Sequence, residues 1–197
     1  DTSDVAFVDF TLASSKCGKG SFTDLQIVQG IELSKEEFAV GIRKADTALK
    51  TGIDNALIAL YKDGTMEAKR REFGEDSIAI CDLSSKTGGA VDSTLGAGGT
   101  LRVGITDYEP MDYKVTGSDE WTGFDAEMAR LVGTALGYAT VEFKVIVWEQ
   151  KITELQSNKI DLIWNGMTVT DELAENMAFS ISYATNSQVA VVKKANA

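Results

Sequence analysis

The chain has 197 residues, 44% of them apolar, enough for one large domain or two small lobes with a real core. Its formal charge of −11 argues against a nucleic-acid partner, since no basic stripe offsets it. With no histidine it lacks the usual general base and the commonest metal ligand, so neither a metal nor a cofactor is expected.

Cys17 and Cys81 lie far apart without a second pair, so they build no zinc or redox motif. Two buried thiols and one disulfide both remain open, with thiols the preferred reading. No apolar run reaches the roughly 18 residues that a membrane span needs, and nothing reads as a signal peptide. The start at Asp1, without methionine, suggests a processed or engineered beginning; separately, the chain is expected to be soluble.

In chain order, Asp4 to Asp9 is a compact apolar strand ending in a carboxylate, and Phe10 to Lys16 makes one or two helical turns. Leu25 to Val28 reads as a strand, Glu32 to Glu37 as a polar segment, and Phe38 to Ile42 as a third strand. Asp46 is placed to cap a helix with Leu49, Ile53, Leu57 and Leu60 on one face. Gly64 stops that helix, and Thr65 can cap a second one carrying Met66 and Phe73. Their stripes are core, not a cofactor box. Ser84 to Gly99 is rich in small residues without an apolar period, and reads as a flexible linker. The GAGGT within it has no lysine and no preceding strand, which rejects a phosphate loop.

Beyond the linker the pattern becomes regular. Leu101 to Ile105 is a strand, followed by a turn around Pro110 and a helix with Phe124, Met128, Leu131 and Ala135 on one face. Val141 to Val147 is the next strand, closed by Trp148, and a short helix buries Ile152 and Leu155. Ile160 to Trp164 is a buried strand that breaks at Asn165-Gly166, where the backbone can turn and approach a ligand. Thr168 and Thr170 alternate, so both hydroxyls can face one way, and Asp171 opens a polar helix that Thr170 is suited to cap. Gln188 to Val192 is a last strand. Strands alternating with helices give an α/β fold with a mainly parallel mixed sheet flanked by helices. Amides and hydroxyls at a strand end are what such sheets use to hold small polar ligands.

The stretches LRVGITDYEPMDY, WTGFDAEMARLVGTALG, ELQSNKIDLIWNGMTVTDE and AFSISYATNSQVAVVKK resemble, in order and spacing, lobe one of type II periplasmic solute-binding proteins that deliver amino acids to ABC importers. The resemblance covers roughly 101–194. It implies an aromatic platform at Tyr108, a second ring at Trp148, and ligand-facing groups from Asn165, Gly166 and Thr168. Asp107, beside Tyr108, is balanced between a solvated turn carboxylate and a contact to a ligand ammonium. SDVAFVDFTLA is similar to the last strand and helix of lobe two, whose closing aspartate, here Asp9, commonly grips a ligand amino group. The stretch from Glu36 to Gly74 looks like the segment that returns to lobe one and ends the protein.

Family order is therefore reversed, as in a circular permutant, which suggests an engineered chain. The expected division is 1–37 as a remnant of lobe two, 38–83 as the C-terminal family segment, 84–98 as linker and 99–197 as the N-terminal family segment forming lobe one. Two departures follow. Leu173 stands where the family has an arginine that pairs with the ligand α-carboxylate, so either another donor holds that group or the ligand is not a standard α-amino acid. Much of lobe two is also missing.

As isolated aromatics, Trp148 and Tyr108 read as packing at strand ends; inside the matched motifs they read as ligand rings. Asp161 and Glu154 read as surface charges. The implied function is non-catalytic binding of an amino acid or amine between two lobes, with an ABC transporter permease as partner. The parent would be periplasmic, or extracellular and lipid-anchored, and a complementary lobe-two fragment or self-association could complete the cleft. The alternatives are a dehydratase-like enzyme on the same fold, for which no nucleophile–base pair is evident, and a sensory or structural module that binds nothing tightly alone.

Overall fold

The computed structural model describes residues 3–74 and 76–196. The start at Asp1 lies outside the described residues. The first half contains β1 (Val5–Asp9), α1 (Phe10–Lys16), β2 (Leu25–Phe38), β3 (Gly41–Ile42), α2 (Thr47–Lys62), α3 (Thr65–Gly74) and β4 (Ala79–Ile80). The second contains β5 (Thr100–Ile105), β6 (Tyr113–Lys114), β7 (Trp121–Thr122), α4 (Phe124–Ala135), β8 (Thr140–Val145), α5 (Lys151–Gln156), β9 (Leu162–Ile163), α6 (Asp171–Ala174), β10 (Ala178–Phe179) and β11 (Ala184–Lys193).

A five-stranded sheet has the order β10-β3-β9-β5-β8. β5 runs parallel to β8 and to β9, while β3 is antiparallel to β9 and β10 antiparallel to β3. The fold is thus mixed α/β, parallel in the three strands that carry the loops discussed below. Side chains alternate along a strand, so each face needs its own cover. Leu162 joins the larger core with Leu101, Val103, Ile53, Leu57, Met128 and Val132. Its neighbour Ile163 faces the opposite way into a second cluster with Ile146, Leu155, Ile160, Met167 and Met177. The apolar stripes of α2 and α4 are covering material for this sheet.

The strand order draws on both ends of the chain, since β3 sits between β9 and β10. Arg43, just after β3, donates to Ile160 O at 2.5 Å and Leu155 O at 3.1 Å and pairs with Asp161 at 3.3 Å. Asp161 also accepts from Arg102 N, Nε and Nη2 at 2.9, 3.0 and 2.6 Å. It is a half-buried clamp between strands, a correction to its reading as a surface charge.

A second, four-stranded sheet has the order β1-β11-β2, with β4 also paired to β11. It draws β11 from the far end of the chain to lie beside β1 and β2. α1 covers it through Ala13, against Val189 and Val191. β2 and β11 form a long antiparallel pair whose inner end, Phe38 against Ala184, lies in the main core and whose outer end is Leu25 against Lys193. The polar segment 32–37, expected to separate two strands, is itself part of this 14-residue strand. The reason is that an antiparallel strand tolerates a solvated face while its backbone stays paired.

Two caps differ from expectation. Asp46 makes no side-chain cap bond and instead pairs with Arg43 at 2.7 Å. At α3 it is Asp63, not Thr65, whose side chain accepts, taking the Thr65 N–H at 2.8 Å. Thr170 does cap α6, accepting from Leu173 N at 3.2 Å. Residues 84–98 form no helix or strand, but they are pinned at several points. Gly89 N donates to Asn55 Oδ1 (2.8 Å), Gly96 N to Leu136 O (2.8 Å) and Gly98 N to Gly137 O (2.9 Å), and Leu95 packs on the core. Cys17 and Cys81 are free thiols, and burial pushes Cys81 up to about 11.

Candidate functional site

The loops that leave the C-terminal ends of β5 and β9 meet the turn after β8 and the end of β1 around one cleft of about 320 Å3. Open parallel sheets bind ligands at this end because the strand termini leave backbone groups and loop side chains unpaired there. Asp9, Asp107, Tyr108, Trp148, Asn165, Gly166, Thr168 and Leu173 all line it, so every candidate residue of the sequence meets at one place. Thr106, Lys151, Met167 and Thr170 complete the lining.

Tyr108 is held at its base by a tight turn, with its N–H donating to Asp112 O at 2.7 Å and Asp112 N donating back to Tyr108 O at 3.0 Å. Its hydroxyl reaches over to the second sheet and donates to Asp9 Oδ2 at 3.0 Å. Burial first, and then the Asp9 charge and hydrogen bond, push the phenol pKa well up. Asp9 also accepts from Asn186 Nδ2 at 3.0 Å and from Gln188 Nε2. Those two amides serve Glu36 as well, at 2.9 and 3.1 Å, and Thr168 Oγ1 donates to Glu36 Oε2 at 3.1 Å. The result is two carboxylates bridged by neutral donors beside the cleft. Asp107 is exposed and makes no side-chain hydrogen bond among the described residues.

The loop after β9 is braced from both sides. Asn165 is buried, with Oδ1 accepting from Thr106 N at 2.5 Å and Nδ2 donating to Thr106 Oγ1 at 2.9 Å. The Gly166 N–H donates to Asp125 Oδ2 at 2.6 Å. The Asn165 side chain and the Gly166 N–H are therefore engaged in bracing the two strand ends against each other, while both residues stay in the lining of the cleft. Gly166 is required for another reason: its φ is +54°, and a Cβ there would lie 2.6 Å from Tyr108 Cε1. The close approach that glycine permits is to the tyrosine ring.

Behind this floor lies an acidic pair that sequence reasoning missed. Asp125 and Asp112 are fully buried; Asp125 Oδ2 takes Tyr183 OH at 2.7 Å as well as Gly166 N, while neither Asp112 carboxylate oxygen has a hydrogen-bond partner among the described residues. Burial raises Asp125 to about 7, opposed by the bonds from Tyr183 and Gly166. Burial, and then the charge of Asp125, push Asp112 upward too, with Arg130 opposing. Lys151 was also missed, although it follows Trp148 by three residues, a spacing that puts side chains on one helical face. Asn186, Gln188 and Glu36 carry only the alternation of paired strands, Glu36 lying directly opposite Asn186.

Residues 101–197 match the bacterial extracellular solute-binding proteins, family 3. The match spans just under half of the chain, which is similar to that family over this segment. The chain is 36% identical over 88 residues to the arginine-binding extracellular protein ArtP of Bacillus subtilis (strain 168), covering 45% of this chain and 33% of ArtP. It is 35% identical over 99 residues to the L-cystine-binding protein TcyA of the same organism, covering 50% of this chain and 36% of TcyA. Among solved structures, an ancestral arginine-binding protein bound to arginine is 38% identical over 40% of this chain and 34% of its own length, with a TM-score of 0.38. The chain thus spans about a third of the length of the curated relatives it matches. Among the described residues no helix is long and apolar enough to cross a membrane.

Proposed function

We propose that this chain is the ligand-binding part of an extracellular or periplasmic solute receptor that captures an amino acid or related amine without chemistry, for an ABC importer permease. The observation that carries the reading is the single cleft where two aromatic rings, Tyr108 and Trp148, meet the carboxylates Asp9 and Asp107 and the hydroxyl of Thr168. Rings of this kind cover the apolar part of a small ligand, and carboxylates orient its ammonium. The names of the relatives, arginine- and cystine-binding, agree with such a ligand. Because Asn165 and Gly166 are occupied, side chains from the other elements of the lining would make the polar contacts.

The mechanism follows from the two sheets. The chain crosses between them at the β2–β3 and β10–β11 connections, and Asp9 on one side bonds Tyr108 on the other. A ligand entering beside that bond is gripped from both, and flexing of the paired strands carries the change to a partner. We also propose that the segment order is a circular permutation of the family order; β3 seated between β9 and β10 supports it. Titration calorimetry with L-arginine, L-histidine and L-cystine tests the reading. Saturable binding of at least one is expected, with Trp148→Ala losing about 1–3 kcal/mol as a buried aromatic anchor does. Binding of none of them, or affinity untouched by the Trp148 change, would reject it.

A further inference from the structure

Two opposite charges face the cleft without meeting each other. Lys151 is half-buried in the lining, its Nζ 4.5 Å from the Trp148 ring centroid and donating to Trp148 O at 3.2 Å. Among the described residues it has no carboxylate partner, and it is the only basic side chain of the lining. Asp9 accepts from a phenol and two amides, all neutral, and among the described residues it has no basic partner. An ammonium with three donors, resting on one ring and one carbonyl, keeps donor capacity for an incoming acceptor. Leu173, on the same lining, offers none.

We propose that Lys151 is the anchor for a ligand carboxylate, making the cleft select zwitterions over the corresponding amines, with the ligand ammonium turned to Asp9. This rests on the amino-acid reading above and names the residue that sets its specificity. The Trp148 ring holds the ammonium in place through the cation–π contact, so the charge is positioned before the ligand arrives. A carboxylate entering the half-desolvated cleft needs such a partner, because an unpaired buried charge is costly.

The test is titration calorimetry with three acid–amine pairs: L-arginine with agmatine, L-histidine with histamine, and L-cystine with cystamine. The unaltered chain is expected to bind at least one acid tenfold or more tighter than its amine. Lys151→Met should weaken that acid tenfold or more and leave the amine within about threefold. Adding Leu173→Arg to Lys151→Met, which returns a cation to the same cleft, should recover most of the loss. Lys151→Gln serves in the same way should the methionine variant not fold by circular dichroism. Equal acid binding by the unaltered and Lys151 variants overturns the inference and leaves the amino-acid reading standing. Equal binding of acid and amine by the unaltered chain also overturns it. Failure of every acid to bind the unaltered chain overturns both.

Discussion

The Tyr108 hydroxyl donates to Asp9 Oδ2 at 3.0 Å, joining residues 99 positions apart in sequence and two different sheets across the mouth of the cleft. A hydrogen bond to a carboxylate contributes on the order of 1.5–3 kcal/mol, and Asp9 keeps its two amide donors when this one is lost. Tyr108→Phe is therefore expected to lower stability by about 1.5 kcal/mol with the fold unchanged. Urea unfolding of both chains measures it; no change would mean that the bond is exchanged for water without cost.

Gly166→Ala should be more damaging than an alanine usually is in a loop. The left-handed backbone costs a side chain about 1–2 kcal/mol, and a Cβ 2.6 Å from the Tyr108 ring forces that ring to move. A total loss of about 2–4 kcal/mol in chemical denaturation is expected, together with an altered tyrosine signal in the near-ultraviolet. A variant as stable as the parent would show that the ring relocates freely.

The buried pair Asp112 and Asp125 predicts a pH dependence of definite sign. Both carboxyls hold their protons to higher pH in the folded chain than at the ordinary value of 3.8, Asp125 up to about 7. Between those limits the folded state binds more protons than the unfolded one, so this pair's contribution to stability falls as pH rises from about 4 to 7. Asp112→Asn removes one member and its repulsion of the other. Denaturation at pH 5 and pH 7.5 should show the parent losing more stability than the variant over that interval. Parallel behaviour of the two chains would count against the raised, mutually repelling pair.

Cutting the backbone between Lys86 and Gly99 should leave the halves associated. β3 pairs with β9 and β10 on either side, and Arg43 bonds Ile160 O, Leu155 O and Asp161, so the core loses its continuity if the pieces part. Limited proteolysis followed by size-exclusion chromatography should give one peak containing both fragments. Two separately eluting folded fragments would contradict this.

Much of the fold was legible because it depends on local spacing. The 3.6-residue stripe of Phe124 and Met128, the two-residue period around Leu162 and the turn at Asn165-Gly166 each follow from chain geometry over a few residues. The candidate residues Tyr108, Trp148 and Thr168 were legible for the same reason, since each stands at the end of a recognisable strand or in the loop that follows one. Residues 32–37 were misread because a polar run is equally good loop and half-solvated strand until a partner is known.

What the sequence alone determined is most of the segments that become strand or helix, and the residues at the ends of the strands around the cleft. Only the tertiary structure decided which of those residues stay available. Asn165 and Gly166 are engaged by Thr106 and Asp125, residues 59 and 41 positions away, so their hydrogen-bonding groups brace the loop. Lys151, unremarkable in sequence, keeps an ammonium in the cleft with no carboxylate partner among the described residues. The physical reason is that a hydrogen bond is satisfied by whatever comes within about 3 Å, and that proximity is set by how the strands pack, not by the residues themselves.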